Sequence, residues 1–406
     1  MKRVDIAILG GGMVGLTVAV GLQRSGLKVL LLESQAAEPL VAAPALRVSA
    51  LNLAAEQLLC RLGVWQQLVR KQPYTQMDVW ERDGPAHLHL QAGSLMQSHL
   101  GHIVENRALV AALWQQLAAG DVAVRRPCQI EAIIPSAEGV LLQSAQEEPV
   151  LASLVIAADG AHSRLRQQLR IPMAEWDYGH SALVATIETR EPHGGCARQL
   201  FTPEGPLALL PLWQPNCCSI VWSQPPQRAR QLQALPVEAF AQALTIASDG
   251  VLGHCQLLSE RAVLPLRARY ARELLRERCL LIGDAAHTIH PLAGQGVNLG
   301  LMDAAALIEQ LRARQVSGAG FESLAFLAPY VRWRKSEAVQ MLAAMEGIKQ
   351  MFAPAGGLHR GLRGIGIAAV DRFSPLKHSL MRRAMGLSGE LPALARPDGM
   401  PVTGRS

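Results

Sequence analysis

The residues best suited to chemistry lie in a glycine-rich turn near the amino terminus. Residues 10–15 read GGGMVG, with the spacing G-x-G-x-x-G, and directly follow the apolar run 4–9. Glycines at this spacing let the backbone approach a pyrophosphate, which then faces the exposed N–H groups at the start of a helix. Glu33 follows eighteen residues after Gly15, where a carboxylate can accept hydrogen bonds from ribose hydroxyls. This pattern predicts dinucleotide binding.

Three elements must position these residues. The apolar run 4–9 predicts a buried strand, 16–25 a helix that stops at Gly26, and 28–32 a second strand that ends at Glu33. An ordinary glycine-rich turn would explain G-x-G-x-x-G alone, but strand, turn, helix, strand and terminal acid form a complete βαβ unit. The unit by itself leaves NAD and FAD both open.

Two further apolar strands end in short motifs of small and acidic residues. Residues 154–158 lead into Asp159-Gly160 and a basic helix start, and residues 279–282 lead into Gly283-Asp284. A loop rich in proline and glycine then continues to residue 300 and feeds a helix. A helix N-terminus preceded by flexible backbone is suited to hold the edge of a flavin ring and to stabilise developing negative charge.

In their order and context, the three motifs resemble those of the single-component flavin hydroxylases with the p-hydroxybenzoate hydroxylase fold. Within that class the chain resembles the FAD-dependent hydroxylases of ubiquinone biosynthesis. The segments that carry the resemblance are 46–52, 101–106, 176–178, 182–187 and 283–304. The fold implied is α/β, with a Rossmann-like FAD-binding domain interleaved with an antiparallel-sheet substrate domain and followed by a helical C-terminal segment.

The domain organisation expected from the resemblance is discontinuous. The FAD-binding domain comprises residues 1–73, 101–175 and 271–335, the substrate domain residues 74–100 and 176–270, and the C-terminal helical segment residues 336–406. Within the substrate domain, the runs near 176–190, 196–202, 207–213 and 217–223 predict an antiparallel sheet. The segments 207–212 and 221–222 are expected either to line an apolar cavity for a polyprenyl chain or to form ordinary sheet core.

The resemblance also assigns residues to the cofactor. In the family the glycine turn holds the FAD pyrophosphate, Glu33 the adenosine ribose and Asp284 the ribitol or phosphate on the riboflavin side, while the backbone of 294–298 meets the isoalloxazine. Surface ion pairs are the alternative for Arg47 and Arg107. The residues expected to bind the cofactor are Gly10, Gly12, Val14, Gly15, Glu33, Arg47, Arg107, Asp159, Gly283, Asp284, Pro291, Gly294, Gln295, Gly296, Val297 and Asn298.

The activity implied by the resemblance is an FAD-dependent monooxygenase. It would consume NADPH and O₂ and hydroxylate a polyprenylphenol ring, with carbon 5 as the expected position, by way of a flavin hydroperoxide. No second G-x-G-x-x-G follows a strand, which fits transient docking of NADPH. The catalytic base is unknown: His287 and His290 are candidates, with structural histidines as the alternative. Two other functions stay open, the same chemistry on a soluble aromatic and a flavin-bearing scaffold of a biosynthetic complex.

Composition narrows the function classes. The chain has 406 residues and a net charge of +6, but its basic residues form no tail block and only four Tyr and six Phe are available for stacking, which argues against nucleic acid. The seven cysteines are odd in number and contain no C-x-x-C pair, so reduced thiols and no metal site are expected.

The sequence also bears on localisation and partners. Residues 2–22 resemble a signal peptide, but Asp5 and the glycine triplet argue against one. No stretch reaches the ~20 apolar residues of a spanning helix, so we expect a soluble or peripheral protein that stays in the cytoplasm. The resemblance implies that it associates peripherally with the inner membrane and with other ubiquinone-biosynthesis proteins. The basic C-terminal segment is suited to docking on an anionic bilayer, and packing on the FAD domain or against a partner surface are the alternatives. Its cations are Arg360, Arg363, Arg372, Lys377, Arg382 and Arg383.

Overall fold

The structure is a computed structural model of the chain, and it describes residues 1–36, 45–82, 84, 87–288, 296–351 and 373–397, with the backbone alone for 348, 349 and 351. The strands are β1 (Lys2–Leu9), β2 (Val29–Leu32), β3 (Val48–Leu51), β4 (Lys71–Tyr74), β5 (Gln76–Glu81), β6 (His87–Gln91), β7 (Gly101–Glu105), β8 (Ala123–Arg125), β9 (Ala132–Pro135), β10 (Val140–Gln143), β11 (Val150–Ala157), β12 (Met173–Thr189), β13 (Cys196–Thr202), β14 (Gly205–Pro211), β15 (Cys217–Gln224), β16 (Cys255–Leu257), β17 (Ala262–Ala271), β18 (Leu275–Arg276), β19 (Cys279–Leu281) and β20 (His287–Thr288). The helices are α1 (Met13–Gly21), α2 (Leu53–Arg61), α3 (Asn106–Ala118), α4 (Arg164–Gln168), α5 (Pro226–Ala234), α6 (Val237–Ala247), α7 (Gly296–Val316), α8 (Ala328–Met351) and α9 (Ser374–Ala384). Short 3₁₀ turns lie at Trp65–Gln67, Ala92–Leu95, Gly283–Ala285, Ala325–Leu327 and Ala393–Ala395.

The first sheet has a parallel centre in the order β19-β11-β1-β2-β8. Its inner strands are apolar along their length, as expected for a parallel sheet, and share one core with helices α1, α3 and α7. The register pairs Leu9 with Ala157 and Ala157 with Leu281. The carboxyl ends of β1, β11 and β19 therefore lie side by side, and the three sequence motifs meet at one edge of this sheet.

The second sheet runs in the order β20-β17-β12-β15-β14-β13-β5-β6, with β16 beside β12. Strands β17, β12, β15, β14 and β13 pair antiparallel, so the antiparallel sheet predicted from the alternating runs is confirmed. Strands β5 and β6, from the segment 74–100, join the same sheet through β13. The expected α/β fold is confirmed, whereas the exact domain boundaries stay a prediction.

The two faces of the second sheet pack against different partners. On the outer face, residues of β12, β14 and β15 form a core with Phe240 and Leu244 of α6. On the inner face, Tyr270 packs in one cluster with Leu299 of α7 and Leu342 of α8. The inner face therefore meets the start of helix α7, which also belongs to the core of the first sheet.

A small antiparallel sheet, β3-β7-β4, adjoins both larger sheets. Ala50 and Ile103 from this third sheet cluster with Leu212 and Cys217, which follow β14 and begin β15. The C-terminal helix α9 packs nearby, since Met381 is buried with Leu90 and Leu100. These contacts complete the surroundings of the inner face of the second sheet.

Three helix boundaries differ from the sequence predictions. Helix α1 begins at Met13, not Leu16. Its first turn includes Gly15, because that position needs a glycine: a Cβ there would lie 2.0 Å from the carbonyl oxygen of Gly10. Helix α7 begins at Gly296 within the predicted loop. Helix α8 begins at Ala328, upstream of the predicted start of the C-terminal segment at residue 336.

Candidate functional site

The glycine turn joins β1 to α1 with its backbone pressed against β11. Gly10 has a φ of 103°, and a Cβ on it would lie 2.4 Å from the carbonyl oxygen of Ala158, so only glycine fits. Gly12 is different, because a Cβ there would meet nothing within 4 Å. Gly12 is also the N-cap of α1 and no side chain caps this helix end. The start of α1 thus presents N–H groups toward open space.

Glu33 closes one side of the turn. Its carboxylate accepts a hydrogen bond from the N–H of Gly11, and its second oxygen accepts one from the N–H of Gln35 over 2.6 Å. Trp114 of α3 lies on the same side, with the guanidinium of Arg126 4.5 Å from its ring centroid. The structure therefore places the predicted acid at the glycine turn.

Asp159 and Gly160 follow the end of β11. Asp159 Oδ2 accepts a hydrogen bond from the N–H of Arg164 over 2.9 Å, whereas Oδ1 is buried without a hydrogen-bond partner among the described residues. Gly160 has a φ of 81°, and Ser163 then caps helix α4 by accepting from the N–H of Arg166. The unpartnered Oδ1 leaves an acceptor for a ligand.

The Gly283-Asp284 motif contacts the first turn of α1. Gly283 has a φ of 57°, and a Cβ on it would lie 3.1 Å from Val14 Cγ2. Gly300 of α7 is closer still, since a Cβ on it would lie 2.8 Å from the same methyl group. Val14 therefore packs where the glycine turn, the Gly-Asp motif and helix α7 meet.

Asp284 lies at the surface of this junction. Its side chain is exposed, yet desolvation by the surrounding protein raises the pKa of its carboxyl above the usual value. His287 and Arg47 act in the opposite direction and favour the ionised form. Both observations fit a carboxylate in an open recess. The charge of Arg47 is therefore close enough to influence Asp284.

Arg47 and Arg107 are brought together by the pairing of β3 with β7. The carbonyl of Arg47 accepts the N–H of Asn106 over 3.1 Å, and Arg107 follows in the first turn of α3. Both arginine side chains are exposed. Neither side chain forms an ion pair among the described residues, and cofactor binding by both arginines stays a prediction.

The start of α7 carries three of the predicted residues, Gly296, Val297 and Asn298. Asn298 is buried, donates to the carbonyl of Ala50 over 2.8 Å and accepts from the N–H of Asn52 over 3.1 Å. These bonds fix the first turn of α7 to the third sheet. Four of the candidate residues, His290, Pro291, Gly294 and Gln295, lie outside the described residues.

His287 lies in a buried polar network. Its Nε2 is 2.6 Å from Asp303 Oδ2, which also accepts the N–H of Gly283, while Asp303 Oδ1 accepts from Arg334 Nε over 2.7 Å. Burial alone would raise the pKa of Asp303, but His287 and Arg334 outweigh it and lower the pKa to about 2. The carboxylate is thus ionised, and His287 Nε2 must donate. This network holds the Gly-Asp turn in place.

Sequence reasoning did not identify Arg166, which joins two of the motifs. The buried guanidinium donates to the carbonyl of Ala161 over 2.7 Å and to that of Ala285 over 2.8 Å. The sequence placed this arginine among the basic residues at a predicted helix start. It did not indicate which carbonyl groups the side chain contacts. Asp303 and Arg334 were missed for the same reason, since nothing in the sequence around either residue indicates its partner.

The inner face of the second sheet carries both apolar and hydroxyl groups. Val221, Leu210 and Leu212 lie on this face, whereas Leu207, Leu209 and Trp222 point into the outer core. Of the two alternatives expected for 207–212 and 221–222, ordinary sheet core therefore holds for Leu207, Leu209 and Trp222, because neighbouring residues of a strand alternate between faces. Thr186 and Ser219, paired across β12 and β15, have buried hydroxyls without partners among the described residues.

None of the described helices has the length and apolar character required to cross a membrane.

Comparison with known proteins agrees with this geometry. The family model described as "FAD binding domain" matches residues 3–344. A solved structure of the p-nitrophenol 4-monooxygenase PnpA from Pseudomonas putida DLL-E4 has the same fold, with a TM-score of 0.78 at 18% identity, covering 96% of this chain and 99% of that one. Fold and family match together define an FAD-dependent monooxygenase.

Curated relatives narrow the class. The 3-demethoxyubiquinol 3-hydroxylase of Escherichia coli K12 is 37% identical, covering 94% of this chain and 98% of that protein. The ubiquinone hydroxylase UbiL of Rhodospirillum rubrum is 36% identical, covering 99% of this chain and 94% of that protein. The chain belongs to the FAD-dependent hydroxylase family of ubiquinone biosynthesis. The expected FAD cofactor and O₂ co-substrate are confirmed by this membership.

Proposed function

We propose that this protein hydroxylates the ring of a polyprenylated phenol in ubiquinone biosynthesis, at carbon 5, with NADPH as the electron donor. The observation that carries the proposal is the position of helix α7. Its first turn is fixed beside Val14 and the Gly-Asp motif, and its Leu299 packs against Tyr270 on the inner face of the second sheet. A ring held on that face would lie beside a flavin at the start of α7.

The residues present fit FAD. The open space at Gly12 gives the pyrophosphate access to the uncapped N–H groups of α1. Glu33 would accept from the adenosine ribose, and Asp159 Oδ1 offers a buried acceptor that has no other described partner. Asp284 would accept from the ribitol. These roles combine ligand-binding geometry with residue types that match each part of the cofactor.

The remaining predicted residues would complete the cofactor site. Arg47 is an exposed cation near Asp284, and Arg107 is an exposed cation at the start of α3. Both are suited to bind a phosphate or the polar edge of the cofactor. The first-turn backbone of α7 at Gly296 and Val297, with Asn298 anchored to Ala50, would face the flavin ring. The positive end of the α7 dipole favours negative charge there.

When bound, FAD supplies reductive activation of O₂ and transfer of one oxygen atom to the ring. The chain contributes positioning and exclusion of water. The inner-face cluster of the second sheet is apolar and closed by α7 and α8, so it keeps water from the reacting atoms. His287 donates to an ionised Asp303 in a buried network, which favours a structural role over that of a base.

The polyprenyl chain accounts for the apolar lining. Leu210 and Val221 are partly exposed on the inner face and offer aliphatic surface next to the expected ring position, whereas Leu212, Ala50 and Ile103 pack with one another. Burial of an aliphatic chain stabilises binding by about 25 cal/mol per Å². This partly exposed aliphatic surface, together with the membership of the ubiquinone-biosynthesis hydroxylase family, is why we favour the prenylated substrate.

The ring position has two candidates. Carbon 5 is the position implied by the family resemblance. The name of the E. coli relative, 3-demethoxyubiquinol 3-hydroxylase, favours a second candidate. In it the enzyme hydroxylates a later intermediate, whose ring already carries other substituents. The two candidates differ in the precursor that would accumulate when the enzyme is absent.

We also propose that α9 contacts an anionic membrane or the biosynthetic complex. Phe373, Leu376 and Leu380 are exposed at helical spacing, and the same segment carries Lys377, Arg382 and Arg383. An exposed apolar stripe beside cations is suited to an anionic bilayer that holds a prenylated substrate. The other cations of the predicted basic segment, Arg360, Arg363 and Arg372, lie outside the described residues.

The test is mass spectrometry of quinone precursors in a strain that lacks the gene. A polyprenylphenol without the carbon-5 hydroxyl is the expected product; a precursor blocked at a later hydroxylation would assign the second candidate. An unchanged quinone profile would overturn the proposal and favour a soluble aromatic substrate.

Complementation separates catalysis from a scaffold role. Gly12→Val should block the pyrophosphate and abolish both FAD binding and complementation. Gly93→Val is the matched control, because a Cβ at Gly93 also meets nothing within 4 Å. Complementation by a folded Gly12→Val protein without FAD would show that a scaffold is sufficient.

A further inference from the structure

A cluster of two histidines and one glutamate lies apart from the glycine turn and the Gly-Asp motif. Glu56 belongs to the first turn of α2, His99 precedes β7, and His102 lies on β7 between β3 and β4. The donor atoms of all three residues lie within 4.8 Å of one another. Three separate elements therefore bring metal-ligating groups to one point.

The geometry is close to that of a bound divalent ion. Glu56 Oε2 is 2.7 Å from His99 Nε2 and 3.1 Å from His102 Nδ1. Two donors on a tetrahedral zinc ion lie about 3.3 Å apart, given bonds of about 2.0 Å to nitrogen and oxygen. An ion bound by all three atoms requires donors that now lie up to 4.8 Å apart to approach to about 3.3 Å.

The surroundings orient the ligands. Ser98 Oγ lies 2.8 Å from His99 Nδ1, so the ring nitrogen that faces away from Glu56 has its own hydrogen-bond partner, as metal-bound histidines usually do. Trp65 packs edge-on against the His102 ring at a centroid distance of 4.8 Å.

The exposure of the cluster permits entry of an ion. The side chains of Glu56 and His99 are each 18% exposed, and that of His102 is 8% exposed. The ligand set of two imidazoles and one carboxylate leaves a fourth position for water. Imidazole suits zinc better than magnesium or calcium, which prefer oxygen ligands.

We propose that Glu56, His99 and His102 form a zinc site that links helix α2 to β7. The sequence prediction of no metal site relied on close cysteine and histidine spacing, whereas these ligands come from distant parts of the chain. The site would stabilise a region where the C-terminal segment docks, because the N–H of Leu53 donates to the carbonyl of Met385 over 3.1 Å. The proposal is independent of the substrate and of the ring position.

The experiment uses the full chain with FAD bound, treated with a chelator and then desalted. Titration with ZnCl₂ by calorimetry should give one zinc per chain and a rise in melting temperature. Titration with CoCl₂ should give the visible absorption of four-coordinate cobalt, at longer wavelengths than the flavin bands. Both signals report on the metal and not on catalysis.

Variants assign the site. Glu56→Gln and His99→Gln should each weaken zinc binding by about 100-fold while FAD content is retained. The double variant His87→Gln/His89→Gln is the matched control, because these histidines flank the carboxylate of Asp78 on the second sheet. It should bind zinc like the unmodified chain.

Three results would overturn the proposal. These are the absence of zinc and cobalt binding, binding that is unchanged in both Glu56→Gln and His99→Gln, and binding that is lost only in the control. His99→Gln keeps the test decisive if Glu56→Gln fails to fold, since His99 lies in the turn before β7 and outside any helix or strand.

Discussion

Arg334 and Asp303 form a buried ion pair, in which Arg334 Nε donates to Asp303 Oδ1 over 2.7 Å and each side chain is only 3% exposed. The other carboxylate oxygen accepts from the N–H of Gly283 and from His287. A residue of α8 thereby fixes a residue of α7, which in turn fixes the Gly-Asp turn. The position of the candidate flavin site thus depends on a charge pair between Asp303, within the segment 283–304, and Arg334, which lies outside every sequence motif.

Replacement of this carboxylate should be strongly destabilising. In Asp303→Asn the buried guanidinium of Arg334 loses its counter-charge, and we expect the free energy of unfolding to fall by about 3–5 kcal/mol. Denaturant unfolding measures this change. Asp249→Asn, which removes the partly exposed pair with Arg82, should cost less than about 1 kcal/mol. Equal losses in the two variants would contradict the prediction.

The same pair predicts a pH dependence of stability. The pKa of Asp303 is about 2 in the folded chain against an ordinary value of 3.8, so the ionised carboxylate stabilises the fold by about 2 kcal/mol. This contribution is complete above the unfolded pKa and is lost as the pH falls from about 4 toward 2. Urea unfolding across that range should show the difference between the unmodified chain and Asp303→Asn shrink with acid. A constant difference would contradict the assignment.

The sequence was most informative where motifs follow strands. Apolar runs located β1, β11 and β19, and parallel strands of one sheet bring their carboxyl ends to the same edge. The convergence of the glycine turn, Asp159 and Gly283 was therefore predictable without any side-chain geometry. The antiparallel sheet was predictable from the alternation of apolar residues.

Contacts between distant elements were not predictable in this way. Asn298 reaches Ala50 and Arg334 reaches Asp303, and nothing in the local pattern of either pair indicates its partner. The start of α7 was placed too late because glycines suggested a loop, whereas Gly300 is required inside the helix by its close approach to Val14. Tertiary packing overrides the low helix propensity of glycine there.

Gly12 provides a direct test of the cofactor site. In Gly12→Val the side chain occupies the open space before α1, so the fold should be retained while the FAD content falls to less than about a tenth. Flavin absorbance per chain measures the content, and circular dichroism verifies the fold. Gly93→Val should retain its flavin. A full FAD content in Gly12→Val would contradict the prediction and show that the pyrophosphate binds elsewhere.

His287 distinguishes a structural histidine from a catalytic base. We expect His287→Gln to lower the free energy of unfolding by about 1–3 kcal/mol, because Asp303 loses a buried donor, and to leave the pH profile of kcat unchanged. Steady-state NADPH oxidation with a short-chain prenylphenol measures the profile. His180→Gln, at a histidine that contacts the backbone of the second sheet, is the control for purification and assay. A 100-fold loss of kcat, about the scale of general base catalysis, in a stable His287→Gln protein would identify His287 as a base.

The exposed apolar residues and the cations at helix α9 predict a membrane-binding face. Phe373 and Leu380 are 61% and 46% exposed on the same segment as Lys377. Burial of one large apolar side chain in a bilayer is worth about 1.5–3 kcal/mol, so Phe373→Asp should weaken binding to anionic vesicles by about tenfold or more. Co-sedimentation with vesicles of anionic and of neutral lipid measures this effect, and added salt should weaken binding to the anionic vesicles.

Val316→Asp is the matched control, because Val316 is 88% exposed on a different helix. Equal sedimentation of both variants would mean that α9 does not face the lipid, and binding to a protein of the same pathway would then become the better explanation for its exposed apolar residues.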